Sequence, residues 1–319
     1  MDYIWLLLGF ALLIKGADFF VDGSSSIAKI LRIPTIIIGL TVVAFGTSLP
    51  EASVSITAAM KGENALALSN VVGSNIFNLM IVAGVSAAIK PISVHASVLK
   101  RDFPVTIFIT VLLLLFSIPL TGNGVIGRWE GALLLVIFVG YMVATVQSAL
   151  ESRKQSKEES AEEASESQEK TLKPWLAVVY IAGGIVAIKF GGDFVVNSAS
   201  NIAATFGLST HLIGLTIVAL GTSLPELVTS IIAARKGESD LALGNVVGSN
   251  IFNILLVLGM SAALHPIGVD MYSVYDMLVL LVFSVIVYIF AYREKKVNRR
   301  EGFVMIPMYL AFFVYIIVR

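Results

Sequence analysis

The chain has 319 residues, of which 57% are hydrophobic and only 14% are charged, and its mean hydropathy is +0.89. This composition excludes an ordinary soluble domain, and a formal net charge of zero provides no bulk attraction to nucleic acid. Cysteine is absent, which excludes a disulfide framework, a thiol nucleophile and a thiolate metal site. Apolar runs of about 20 residues, long enough to cross a bilayer, recur along the chain. The sequence therefore predicts an all-α integral membrane protein.

Ten apolar segments are predicted to span the membrane, five on each side of a charged stretch. In chain order they cover residues 3–30, 35–60, 64–89, 103–121, 129–150, 175–203, 211–235, 239–264, 275–292 and 302–318. Residues 151–173 contain seven glutamates and almost no apolar residues, which predicts a solvated linker, partly helical or disordered. We therefore divide the chain into an N-terminal transmembrane repeat (1–150), the linker (151–173) and a C-terminal transmembrane repeat (174–319).

The second half of the chain repeats the first. A shift of 175 positions aligns residues 38–88 with residues 213–263, and about 36 of these 51 positions are identical. The repeated stretches extend over about residues 36–89 and 211–264. Because each half has an odd number of spans, the two halves are predicted to insert with opposite topologies, as inverted repeats.

Lysine and arginine are concentrated on one side of this predicted topology. With the N-terminus outside, the inward connections carry Lys29, Arg32, Lys90, Lys100, Arg101, Arg153, Lys154, Lys157, Lys170, Lys173, Arg235, Lys236, Arg293, Lys295, Lys296, Arg299 and Arg300. The outward side keeps only Lys61, Arg128 and Arg319. Because positive charge favours the cytoplasmic side, we expect both termini outside and the linker in the cytoplasm.

The hexapeptide Gly-Thr-Ser-Leu-Pro-Glu occurs at residues 46–51 and 221–226, inside the second and seventh predicted spans. Proline removes a backbone donor and disfavours helical geometry at the preceding residue, so each copy predicts a broken helix. A carboxylate at membrane depth is costly and indicates an ion or substrate pathway. Inverted repeats bring equivalent interruptions together near the midplane. We therefore expect Glu51 and Glu226 to face each other across a pseudo-two-fold axis.

Such a pair of carboxylates requires a cation to neutralise it, and one divalent ion or two monovalent ions would do so equally well. The side chains beside the glutamates offer hard oxygen ligands, together with backbone carbonyls freed by the prolines: Thr47, Ser48, Thr222 and Ser223. Calcium takes about 6–8 oxygens in a flexible cage, whereas magnesium usually keeps several waters. Soft transition metals favour histidine or cysteine, and these stretches contain neither.

A second motif, Asn-Val-Val-Gly-Ser-Asn-Ile-Phe-Asn, occupies residues 70–78 and 245–253 in the spans that follow. Amides and small residues at such positions favour close helix packing. We give that interpretation to Asn70, Asn75, Asn245 and Asn250. The remaining polar members are expected to line the site: Ser74, Asn78, Ser249 and Asn253.

Other ionisable residues in or near the spans are interpreted as interfacial or internally paired groups. They are Asp18 and Asp22 near Lys15, Asp193 near Lys189, and the histidines His95, His211 and His265. No nucleophile–base pair or His-Glu-x-x-His motif is present, so we do not expect an enzyme. A cation channel lined by acidic residues is a further alternative, but inverted repeats with broken helices favour a transporter.

With both Gly-Thr-Ser-Leu-Pro-Glu copies and the following Gly-Ser-Asn-Ile-Phe-Asn segments, the chain resembles the cation/calcium exchangers, and specifically their prokaryotic sodium/calcium exchanger branch. The resemblance covers both repeats and the ten-span layout. It implies secondary active exchange of Na⁺ for Ca²⁺ by alternating access in the cell membrane of a prokaryote. It implies no cofactor and no obligatory protein partner, with membrane lipid as the surroundings.

The resemblance also implies roles for individual residues. Glu51 and Glu226 would bind calcium and also sodium, joined on calcium by the backbone carbonyls of Thr47 and Thr222. The positions that would bind sodium or line the site are Ala44, Ser48, Ser74, Asn78, Ala219, Ser223, Ser249 and Asn253. The first and sixth spans would slide against the remainder.

Asn253 departs from part of this superfamily. Potassium-dependent and some archaeal exchangers have an aspartate at this position, so the asparagine favours exchange that does not need K⁺. The Gly-Asn-x-x-Glu motif of the proton-coupled branch is absent. H⁺/Ca²⁺ exchange and K⁺-dependent Na⁺/Ca²⁺ exchange remain the alternatives among transporters.

Overall fold

The computed structural model describes residues 1–117, 124–162, 171–208 and 213–318. These residues form helices almost throughout. The helices are α1 (Asp2–Leu31), α2 (Thr35–Thr47, π-helical over Gly39–Val43), α3 (Leu49–Met60), α4 (Asn64–Phe77, continued by Asn78–Val82 and Ala83–Ile89), α5 (Phe103–Ser117, preceded by a π-helical turn, Val98–Asp102), α6 (Arg128–Glu162), α7 (Pro174–Thr205), α8 (Gly214–Val218 and Ala219–Gly221), α9 (Leu224–Lys236), α10 (Ser239–Phe252, continued by Asn253–Leu258 and Gly259–Leu264), α11 (Met271–Glu294) and α12 (Arg299–Val318).

The helices have the length and composition of a membrane protein. Within the described residues, seven of them are long and apolar enough to cross a membrane, or eight if the bent pair α2–α3 is counted as one broken span. The predicted helical membrane class is therefore confirmed. Two of the ten predicted spans, 103–121 and 211–235, run into residues outside the description, and so does His211. The number ten stays a prediction.

The predicted break in the second span is present. α2 and α3 meet at Ser48 with a bend of 50°. Pro50 lies in the first turn of α3, where its missing N–H is tolerated. The same residues interrupt the second half, because α9 begins after Ser223 with Pro225 in its first turn. Each motif copy thus ends one helix and starts the next.

Among the residues that the structure describes, four two-residue strands join the halves. The strands β1 (Ile92–Ser93) and β4 (Lys296–Val297) pair antiparallel, as do β2 (Val125–Ile126) and β3 (Ile267–Gly268). β3 lies 175 positions after β1, so these two strands are equivalent in the two repeats. β1 pairs with a strand of the second half, and β3 pairs with a strand of the first half. This exchange is the arrangement that a pseudo-two-fold axis between the halves would produce.

The charged linker begins as a helix. α6 continues past the predicted fifth span to Glu162, and residues 163–170 lie outside the described part of the chain. Residues 151–162 are therefore a helical part of the linker, which was predicted to be partly helical or disordered.

α1 and α7 pack against each other along most of their length. Their contact contributes a hydrophobic cluster separate from the larger core around α4, α10 and α11, and it includes Leu13, Ala17, Phe20, Ile188 and Val195. Glycines permit the close approach. A Cβ at Gly16 would lie 2.8 Å from the Cβ of Ala187 and 2.9 Å from the backbone nitrogen of Ile188.

We expect Gly16→Ala to destabilise the protein by forcing α1 and α7 apart, since overpacking typically costs about 1–3 kcal/mol. Gly183→Ala on α7 is the matched control, because a Cβ there meets nothing within 4 Å. Both changes gain the same helix propensity, about 1 kcal/mol. Thermal unfolding in detergent should therefore show a lower Tm for Gly16→Ala than for Gly183→Ala, and equal values would contradict the packing argument.

Ion pairs tie the end of α9 to α1. The Lys236 ammonium lies 2.6 Å from carboxylate oxygens of both Asp18 and Asp22. Of the two predicted interpretations, interfacial or internally paired, the structure shows paired aspartates. Their partner is Lys236 and not the nearby Lys15. Asp193 pairs with Lys189 one turn earlier on α7, at 2.8 Å.

Candidate ion-binding site

The two motif glutamates sit at equivalent places in the fold. Glu51 lies in the first turn of α3 and Glu226 in the first turn of α9. The N-terminal turn of a helix favours negative charge, because its free N–H groups and dipole point toward it. The backbone N–H of each glutamate lies within hydrogen-bonding reach of its own carboxylate. Both side chains are fully buried, with 0% of their surface exposed.

The carboxylates are held by hydroxyl groups from the opposite repeat. The Ser48 hydroxyl donates to Oε1 of Glu226 at 3.1 Å, and the Ser223 hydroxyl donates to Oε1 of Glu51 at the same distance. Because these residues are neighbours in each motif, the two hydrogen bonds are equivalent under the 175-residue shift. The structure therefore brings the two broken helices together, as the sequence analysis expected.

Further hydroxyls from α4 and α10 surround the pair. Ser74 receives a hydrogen bond from Ser223 at 3.0 Å and lies 3.5 Å from Oε1 of Glu51. The Ser249 hydroxyl lies within hydrogen-bonding reach of the Glu226 carboxylate and also donates to Oδ1 of Asn245 at 3.5 Å. Both serines are buried. They thus lie beside the glutamates, and their lining of an ion site stays a prediction.

Asn70 and Asn245 connect each glutamate backbone to the threonine of the other repeat. The Asn245 amide donates to the Glu226 carbonyl at 3.3 Å, and its Oδ1 accepts from the Thr47 hydroxyl at 2.9 Å. In the other half, Asn70 donates to the Glu51 carbonyl at 3.4 Å and accepts from Thr222 at 3.5 Å. These asparagines were predicted only as packing residues. Their contacts show that they also position the glutamate-bearing helices.

Two hydroxyls that the sequence analysis did not single out support these asparagines. The second amide contact of Asn70 is with Ser55 at 2.9 Å, and that of Asn245 is with Ser230 at 3.0 Å. Both serines lie one helical turn after their glutamate and are identical between the repeats. This identity between the repeats is the sequence signal that could have identified the two serines.

Several buried oxygens at the site lack a hydrogen-bond partner. Of eight such side-chain atoms among the described residues, four belong to predicted site residues: Glu51 Oε2, Asn78 Oδ1, Glu226 Oε2 and Asn253 Oδ1. The two amide oxygens can only accept, and so can the two carboxylate oxygens when the carboxylates are ionised. Leaving a buried acceptor without a partner is costly, by about 1–3 kcal/mol each. A bound cation can interact favourably with all of these oxygens, whereas another hydrogen-bond acceptor cannot.

The oxygens that could bind an ion indicate which cations fit. No group of three or more His, Cys, Asp or Glu that could hold a metal occurs within the described residues. A bound ion would therefore meet two carboxylates and otherwise neutral oxygens. Hard oxygen ligands with two negative charges suit Ca²⁺ or Na⁺ and are unsuited to soft transition metals.

The two predicted alanine positions lie at the start of the last helical turn before each break. Ala44 is buried, and its carbonyl accepts the Ser48 N–H at 3.0 Å. Ala219 begins the Ala219–Gly221 segment of α8, and its side chain lies outside the description.

A cavity of about 150 Å³ adjoins the site on the α7 side. Its wall includes Pro50, Lys189, Asp193, Thr222 and Pro225. Thr222 is 9% exposed, whereas its counterpart Thr47 is fully buried. The cavity therefore touches both motif copies, at Pro50 in the first and at Thr222 and Pro225 in the second, but the two motif threonines are unequally exposed.

Comparisons with known proteins identify relatives along almost the whole chain. The family model described as sodium/calcium exchanger protein matches residues 1–147 and 176–318. The sodium/calcium exchanger MaX1 of Methanosarcina acetivorans is 35% identical, over 98% of each chain. The inner membrane protein YrbG of Escherichia coli is 34% identical, over 91% of this chain and 88% of that protein. A solved structure of the sodium-calcium exchanger NCX_Mj soaked with Na⁺ and Sr²⁺ is similar, with a TM-score of 0.83, 31% identity and 97% of each chain covered.

Proposed function

The chain belongs to the sodium/calcium exchanger family and is a multi-pass membrane antiporter, and from this premise we propose how its own residues exchange Na⁺ for Ca²⁺. The observation that carries the proposal is the reciprocal holding of two buried carboxylates, Glu51 by Ser223 and Glu226 by Ser48. Each hydroxyl occupies one oxygen of a carboxylate. The other oxygen has no hydrogen-bond partner among the described residues and is left for an ion.

In this proposal Glu51 and Glu226 are the charged ligands of calcium and also serve sodium. The backbone carbonyls of Thr47 and Thr222 complete the calcium cage beside them. Pro50 contributes indirectly, because it has no N–H to donate to a carbonyl of the preceding turn. Sodium would use the neighbouring neutral positions: Ala44, Ser48, Ser74, Asn78, Ala219, Ser223, Ser249 and Asn253.

Charge counting explains how one site serves two ions. The two carboxylates carry two negative charges, so one Ca²⁺ or two Na⁺ neutralise them. Ion size discriminates poorly between sodium and calcium, so charge and ligand number decide the competition. Occupation by sodium and occupation by calcium then exclude each other, which is the requirement for exchange.

Alternating access follows from the proposed inverted arrangement of the halves. We infer ten spans in two inverted five-helix repeats, with both termini outside and the linker in the cytoplasm of a prokaryotic cell. The exchanged strand pairs and the reciprocal Ser–Glu hydrogen bonds support this symmetry. The separate α1–α7 packing unit is the element that would move against the remainder.

We expect transport without potassium, because the second-repeat position occupied by Asn253 supplies no third carboxylate. Sodium-driven calcium uptake into proteoliposomes should be unchanged when K⁺ is replaced by choline or lithium. Loss of uptake that returns when K⁺ is added back would place this chain with the potassium-dependent exchangers. Uptake driven by a pH gradient without Na⁺ would favour H⁺/Ca²⁺ exchange, and uptake without any counter-ion gradient would indicate a channel.

A further inference from the structure

Four asparagines form a hydrogen-bonded network between α4 and α10. The Asn75 amide nitrogen donates to the backbone carbonyl of Asn250 at 3.1 Å, and the Asn250 amide nitrogen donates to the backbone carbonyl of Asn75 at 3.2 Å. The Asn78 amide nitrogen then donates to Oδ1 of Asn250 at 3.3 Å, and that of Asn253 donates to Oδ1 of Asn75 at 3.1 Å. All four side chains are fully buried.

The backbone carbonyls fix which group donates and which accepts in every hydrogen bond of the network. A backbone carbonyl can only accept, so the Asn250 side chain must present its NH₂ group to Asn75. Its Oδ1 therefore points the other way, where it also can only accept. Asn78 must then present its own NH₂ group to this oxygen, and its Oδ1 is left over. The same reasoning runs from the Asn250 carbonyl through Asn75 to Asn253.

The leftover atoms are the two amide oxygens without a partner, Asn78 Oδ1 and Asn253 Oδ1. The two ends of an asparagine amide have almost the same shape but opposite polarity. Without a fixed neighbour, an amide at these positions could turn its NH₂ group toward the ion and repel it. The orientation of the amide therefore decides whether the position helps or hinders cation binding.

We propose that Asn75 and Asn250 are positioning residues, which orient the amides of Asn253 and Asn78 so that their oxygens face the transported ions. The inference rests on the proposed function and deepens it. It assigns a role beyond helix packing to two residues that do not themselves contact the ion. Each ligand is oriented by a residue of the other repeat, so the ion site depends on the α4–α10 contact.

Because Asn78 and Asn253 are proposed as sodium positions, the test is a double-mutant cycle on Na⁺ affinity, measured by the competition of Na⁺ with radioactive Ca²⁺ on the purified full-length protein. Asn250→Leu removes the amide that orients Asn78, and it should weaken Na⁺ binding by about 10- to 100-fold, the range for a lost interaction with a charged group. In an Asn78→Leu background, position 78 has no amide left to orient. There, Asn250→Leu should change the affinity by less than about threefold, because the coupling between the two sites is removed.

A purely structural role of Asn250 predicts a different result. Its replacement would then lower the Tm and shift Na⁺ affinity equally in both backgrounds, and equal shifts would overturn the proposal. Thr110→Val on α5 is the matched control, since it removes a buried hydroxyl that donates to the Thr106 carbonyl of its own helix and not to the network asparagines. If Asn250→Leu fails to reach the membrane, Asn250→Ala removes the same amide without added bulk and takes its place in the cycle.

Measurements on the wild-type protein distinguish failure of this inference from failure of the proposed function. Absence of Ca²⁺ binding and of exchange in the wild type would refute the proposed function itself. Normal wild-type exchange together with wild-type Na⁺ affinity in Asn250→Leu would refute only the positioning role. Asn75→Leu provides an independent repeat of the cycle, paired with Asn253→Leu.

Discussion

Replacement of either Glu51 or Glu226 by glutamine is expected to abolish calcium transport while leaving a folded, membrane-inserted protein. Glutamine keeps an oxygen that can accept the hydrogen bond from Ser223 or Ser48, so the contact between the repeats survives. The charge does not survive. One carboxylate then faces a divalent ion in a buried site, where Coulomb energies are several-fold larger than in water. The loss should exceed about 100-fold in the initial rate, a barrier change of roughly 2.7 kcal/mol.

The measurement is sodium-driven uptake of radioactive calcium into proteoliposomes, with the reconstituted protein quantified in each preparation. Glu63→Gln is the matched control, since it makes the same chemical change at an exposed position before α4. It should retain the wild-type rate. Substantial calcium flux in Glu51→Gln or Glu226→Gln at normal expression would remove these residues from the calcium site.

Acidification is expected to weaken calcium binding steeply. A carboxylate must be deprotonated to bind a metal ion, so protons and calcium compete for Glu51 and Glu226. If both groups must lose a proton, the apparent affinity falls by about 100-fold for each pH unit below their titration range. The direction is fixed by the chemistry: affinity is greatest at high pH and declines as the pH falls.

Calorimetric titration of calcium over the range from roughly pH 8 to 5, in buffers of different ionisation enthalpy, measures both the affinity and the number of protons released. We expect proton release to rise toward two per calcium at the acidic end. A calcium affinity that is constant over this range, with no proton release, would mean that the two glutamates are not the principal ligands.

Local chemistry was sufficient to predict the helices and the place of their break. Hydrophobic runs dictate helices in a bilayer, because no other open structure satisfies the backbone there. Pro50 and Pro225 interrupt the helices wherever the surrounding chain goes, because the missing N–H belongs to the residue itself. The identity between the repeats likewise predicted that Glu51 and Glu226 would occupy equivalent places.

Contacts between distant parts of the chain could not be predicted at the same level. The sequence placed Lys15 nearest to Asp18 and Asp22, yet the structure pairs them with Lys236, more than 200 positions away. The choice depends on how α9 packs against α1, which no local pattern encodes.

The sequence by itself determined which residues bring charge and oxygen to the site, since these are properties of single side chains and of their spacing. Only the tertiary structure decided which oxygen of each group has no hydrogen-bond partner and is therefore the one that we propose for the ion. That outcome depends on hydrogen bonds from the opposite half of the chain, Ser48 to Glu226 and Asn78 to Asn250 among them. An amide or a carboxylate has two ends, and its neighbours in space select the end that remains free.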